Sequence, residues 1–175
     1  MEAPDIVEGA YTIALPMPPV TGPIVSLKAQ SVNAILKAGN NTMALGYQEN
    51  GILGPTIQVN SGEQIQVDFQ NGLTEPSNIH WHGLLTPAYM DGHPSDVIQS
   101  GGNFSYSFLV TNRAGMYWYH PHPDLATAKQ AYLGLAGLLK VTDTEEQVLN
   151  LPAGDFEIPL VIQDKLLKNT TALSY

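Results

Sequence analysis

The 175-residue chain has no cysteine, one arginine (Arg113) and no apolar run approaching the ~20 residues that a membrane helix needs. Without a thiol there is no disulfide, thiolate metal ligand, cysteine nucleophile or iron–sulfur cluster, so a bound metal must meet nitrogen or oxygen donors. Seven basic residues against sixteen acidic ones give a net charge of −9. The resulting pI near 4.7 offers little to a phosphate backbone or an anionic membrane surface, so neither nucleic acid nor membrane is an expected partner. Charged residues are also scarce, at 13% against 43% apolar, which suits a chain that buries a core and not a disordered one. The opening MEAPDIVEGA lacks the basic and apolar regions of a signal peptide. An intracellular chain and a mature exported one fit that equally.

What is plentiful is turn punctuation. Sixteen glycines and thirteen prolines separate short β-branched and aromatic runs, the texture of a β-sandwich or barrel. Ile65, Val67 and Phe69 alternate with Gln64, Gln66, Asp68 and Gln70, and Phe104, Tyr106, Phe108 and Val110 repeat the period of two. Further strands are expected at Tyr11 to Leu15, Ile24 to Leu36, Thr42 to Tyr47, Thr56 to Asn60, Ser77 to His82, Gly115 to His120 and Leu135 to Val141. Asp124 to Tyr132 alone looks helical, opening on an acid and carrying alanines. These elements predict one domain over residues 1–142. Six of the sixteen acidic residues then fall between 143 and 164, and residues 143–157 read as a loop-like linker. A fresh apolar strand at Ile158 to Gln163 predicts that residues 158–175 begin a second domain whose remainder lies elsewhere.

Four of the five histidines form two His-X-His pairs, His80-Trp81-His82 and His120-Pro121-His122. Residues i and i+2 of a strand share a side, so each pair presents two imidazoles together. One such pair is an ordinary feature of a core or a surface. Two pairs on predicted strands, holding four of the five histidines, point to a metal, and a site built from imidazole alone leans towards copper or zinc. His93 reads as a loop histidine. Asp91, before Gly92, reads from its position alone as a turn aspartate, and Trp81, Trp118 and Tyr119 as packing around the histidines.

The runs NIHWHGLL (78–85), MDGHP (90–94), GMYWYHPH (115–122) and LGLAGLLKV (133–141) resemble the first cupredoxin domain of multicopper oxidases, in the branch of bacterial laccases and copper-efflux oxidases. GPTIQV (54–59) supports the resemblance, and IPLVIQD (158–164) is similar to the strand that opens that family's second domain. The resemblance implies an all-β, cupredoxin-like Greek-key sandwich or barrel followed by one orphan strand of a truncated second cupredoxin domain. It implies copper as cofactor, with His80 a ligand of the type 2 ion and His82, His120 and His122 ligands of the type 3 pair. Asp91 becomes a catalytic acid that relays protons to reduced oxygen. The implied activity is one-electron oxidation of a small reducing substrate coupled to four-electron reduction of dioxygen to water. Its partners are the remaining domains, in the same or a second chain, which carry the cysteine-dependent type 1 copper and the other histidines. The implied location is the periplasm or outside the cell. The residues by themselves also fit a non-enzymatic β-sandwich that stores copper or zinc on four histidines, and a metal-free cupredoxin scaffold.

Overall fold

A computed structural model describes residues 15–37, 40–49, 51–168 and 172–175. Its strands are β1 (Val20–Thr21), β2 (Ile24–Lys37), β3 (Asn40–Gly46), β4 (Thr56–Asn60), β5 (Gln64–Asn71), β6 (His80–His82), β7 (Asn103–Leu109), β8 (Gly115–His120), β9 (Gly137–Thr142), β10 (Leu167–Lys168) and β11 (Ala172–Leu173). They form a five-stranded sheet in the order β1-β4-β9-β8-β6 and a six-stranded sheet in the order β10-β11-β3-β2-β5-β7. Strands distant in sequence lie side by side, as when β4 runs parallel to β9 with Ile57 opposite Leu139. This is the expected all-β, cupredoxin-like sandwich.

Alternation decides which side of each strand enters the core. In β5, Ile65, Val67, Phe69 and Asn71 are buried while the intervening residues face solvent. The core joins Phe69, Ile79, Trp81, Tyr106, Phe108, Tyr119, Leu135 and Leu139 from both sheets. Burying an aliphatic or phenyl side chain of this kind contributes about 2–3 kcal/mol. Trp81 is the anchor, edge-on to Tyr106 and Phe108 at 5.5 Å, with its indole N–H donated to the Met90 carbonyl at 3.1 Å. Tyr119 passes so close to Gly54 and Gly137 that a Cβ on either would lie 2.3 Å or less from the ring or its hydroxyl. Its O–H reaches the Pro55 carbonyl at 2.8 Å. Two core aromatics thus fix β6 and β8, and their neighbouring residues must face the other way.

Helix α1 (Thr127–Leu133) starts later than the sequence predicts, because Asp124 caps nothing and Ala126 holds the N-cap position. Buried Gln130 pins it to the chain before β6, accepting from the Ser77 hydroxyl at 2.8 Å and donating to the Pro76 carbonyl at 2.9 Å. The acidic stretch from 143 is not all loop: the Asp143 carboxylate accepts the Glu146 N–H and starts helix α2 (Thr144–Val148). Among the described residues no helix is long and apolar enough to cross a membrane. The strand expected at Tyr11 to Leu15 lies, but for Leu15, outside the described residues. Ile158 to Gln163 does not form the expected strand. Its alternation survives, with Ile158, Leu160 and Ile162 exposed, but among the described residues no neighbour offers a ladder, and Pro159 lacks an N–H. The pairing in this region is instead made by β10 and β11, with Ala172 opposite Met43 of β3.

Candidate metal centre

The antiparallel register of β6 and β8 pairs His80 with His120, Trp81 with Tyr119 and His82 with Trp118. Since Trp81 and Tyr119 are buried, His80, His82, His120 and Trp118 share the opposite face. Trp118 stacks on His120 with ring centres 4.1 Å apart and lies 4.8 Å from His82, which limits the freedom of both imidazoles. His122 is positioned otherwise. Strand β8 ends at His120, because Pro121 has no N–H to continue the ladder, so the second pair is not two residues of one strand. The His122 ring still stands beside His80, 5.1 Å between centres, and its backbone N–H is held by the Asn78 side chain at 2.6 Å.

His80, His82 and His120 each offer a nitrogen within 4.8 Å of the others. The His80 Nδ1–H donates to the Asp91 carbonyl at 2.9 Å and the His120 Nδ1–H to the Pro121 carbonyl at 2.9 Å. Those bonds leave Nε2 of each ring with a lone pair for a metal. His82 presents Nδ1 instead, 3.1 Å from His120 Nε2. Two imidazole nitrogens bound tetrahedrally to one ion at about 2.0–2.1 Å stand about 3.3 Å apart, so this separation suits a shared ion. The His122 Nδ1 is buried without a hydrogen-bond partner, a further donor awaiting use. These residues fit copper: the donors that face one another are all imidazole nitrogens.

Burial pushes the His120 imidazole down to about 4, and repulsion from His80, His82 and His122 adds to this against the opposing bond to Pro121. At neutral pH no proton competes for its Nε2. The sign of the linkage follows. Below pH 6.5 the unfolded metal-free chain takes up a proton that folded His120 refuses until about pH 4, so stability falls as pH drops through that window. Thermal unfolding of metal-free protein should show this acid slope, and His120→Gln should flatten it; equal slopes would show that His120 does not set it.

Asp91 lies behind His80. Its carboxylate is 3.2 Å from His80 Nδ1 and accepts the Thr86 hydroxyl at 2.7 Å. The chain can come this close only because residue 92 is glycine: its φ is +62°, and a Cβ there would lie 2.0 Å from the Ile79 carbonyl oxygen. His93, exposed and bonded to Ser95 Oγ at 3.0 Å, stays outside the cluster. Thr86 and Asn78 are not among the residues that the sequence pattern singles out. A polar side chain two residues before a His-X-His strand, on the side the two histidines share, is the signal that could have marked Asn78.

The family profile described as multicopper oxidase matches residues 28–146. Multicopper oxidase mco of Staphylococcus aureus is 40% identical over 140 residues, covering 80% of this chain and 31% of its own length. Cell division protein FtsP of Sodalis glossinidius is 34% identical over 163 residues, covering 90% of this chain and 34% of its own. The crystal structure of McoA multicopper oxidase from the hyperthermophile Aquifex aeolicus superposes with a TM-score of 0.86 at 34% identity, over 94% of this chain and 38% of that one. The chain therefore spans about a third of the length of the curated relatives it matches.

Proposed function

Because the chain belongs to the multicopper oxidase family, we propose that it contributes half of a trinuclear copper centre, with His80 towards the type 2 ion and His82, His120 and His122 towards the type 3 pair. The observation that carries this reading is the approach of His82 Nδ1 to His120 Nε2 at 3.1 Å, within a cluster that includes His80. The other ligands, and a thiolate-bound type 1 copper, belong to further domains in the same or a second chain. On this reading residues 1–142 are one cupredoxin domain, 143–157 a linker and 158–175 the start of another domain. When bound, copper supplies the one-electron steps that carry electrons from a small reducing substrate to dioxygen, which leaves as water. By resemblance the enzyme works in the periplasm or outside the cell.

The chain's own residues orient and shield. The Asp91 and Pro121 carbonyls select the tautomers of His80 and His120, and Trp118 covers two rings. Asp91, held by Thr86, supplies a carboxylate next to His80 for moving protons to reduced oxygen. The open side of the site favours a shared centre over a self-contained storage module. β6 is the edge strand of its sheet and His82 is exposed, so the cluster faces outwards towards a further surface. Asp91→Asn in the copper-loaded oxidase containing this domain should lower kcat for oxygen consumption by about 100-fold or more, with copper content unchanged. The amide can still accept from Thr86, so the loop should stay in place. A kcat equal to wild type would reduce Asp91 to a turn residue.

A further inference from the structure

We infer that Asn78 is a positioning residue of the copper site, whose one buried amide holds His122 and the Asp91 loop in place relative to His80. The inference rests on the copper reading above and deepens it.

Asn78 is fully buried, two residues before His80. Its Oδ1 accepts the His122 N–H at 2.6 Å. Its Nδ2 donates to the Gly92 and His93 carbonyls, each at 3.1 Å, with the Asp96 carbonyl at 3.3 Å. The side chain therefore uses donor and acceptor together, as a buried amide must. What it holds are the two parts of the site that no sheet fixes. His122 lies past Pro121, beyond the end of β8, and residues 91–96 form no strand. Gly92 and His93 directly follow Asp91, whose own carbonyl receives the His80 Nδ1–H. One planar group thus sets where the His122 ring emerges and where the His80 partner sits. Aspartate keeps the shape and the acceptor but loses both donors, and glutamine adds a methylene at a fully buried position.

A staple that only stabilised the fold would leave the metal site of folded protein unchanged, and this separates the two roles. Isotope-labelled 175-residue chain is titrated anaerobically with Cu(I) and followed by NMR, for wild type, Asn78→Asp and Asn78→Ala. In wild type, a scalar coupling across the hydrogen bond from the His122 amide to the Asn78 side chain is expected. In folded Asn78→Asp, the His122 amide stays protected, the amides of Gly92, His93, Ser95 and Asp96 exchange faster, and Cu(I) affinity falls about 10–100-fold with altered His80 and His122 ring shifts. Folded Asn78→Asp with wild-type Cu(I) affinity and ring shifts overturns the inference. Should neither variant fold, wild type decides: Cu(I) shifts at Asn78 Nδ2 and the His122 amide alongside the rings support it, and ring shifts with both unmoved overturn it. Wild-type rings indifferent to Cu(I) would overturn the copper reading instead, while the coupling still reports the hydrogen bond.

Discussion

His120→Ala in the copper-loaded oxidase containing this domain should cut oxygen consumption by at least about 100-fold, because losing even an outer partner of a metal ligand costs 10–100-fold. His120 is nearly buried, its Nε2 is one of the two facing nitrogens, and its ring fills the space against Trp118. Alanine removes the donor, leaves His82 Nδ1 without its neighbour and opens a void beside Trp118. The intense visible absorption of a thiolate-bound copper should survive, since this chain contributes no cysteine to it. Oxygen consumption within a few-fold of wild type, in protein with full copper content, would contradict the assignment of His120.

Gly92→Ala should be the most damaging small substitution near the site. Two costs combine. A non-glycine residue at a φ of +62° pays roughly 1–2 kcal/mol, and the new methyl would stand 2.0 Å from the Ile79 oxygen and 3.0 Å from the His80 nitrogen. Backbone atoms cannot rotate aside, so either β6 or the Asp91 loop has to move, and the Asn78 bond to the Gly92 carbonyl goes with it. A loss of about 3–4 kcal/mol, or roughly 10 °C in Tm, is expected for a protein of this size. Gly62→Ala is the matched control: φ is +88° but nothing lies within 4 Å of the added carbon, so only the conformational cost should appear, about 1–2 kcal/mol. Calorimetry on the two variants separates the terms. Equal losses would mean that the approach of residue 92 to β6 has no energetic weight.

Much of the fold is legible in the sequence. Period-two alternation in β5 and β7 located strands because each has one wet and one buried face, and the composition pointed to a sandwich. His80 and His82 were readable as co-facial because Trp81 between them is the kind of residue a core takes. His122 was harder. The i, i+2 rule presumes a strand, and Pro121 ends the strand one residue too soon, so the orientation of His122 depends on Asn78, 44 residues away. The same non-local logic hid Thr86, whose role appears only when Asp91 folds back to it. At the far end, Ile158 to Gln163 has the pattern of a strand and forms none, because pairing needs a partner that local sequence cannot supply. The helix at 144–148 went unread for the opposite reason: a single capping carboxylate, Asp143, outweighs a loop-like composition.

The most direct test of the central claim is copper-edge anomalous diffraction from the copper-loaded oxidase containing this domain. The account predicts anomalous density bridging His82 Nδ1 and His120 Nε2, further copper within bonding distance of His80 and His122, and additional ligands arriving from outside residues 1–142. Copper bound through Asp91 or His93, or a lone ion whose coordination is completed by this chain's histidines alone, would contradict it.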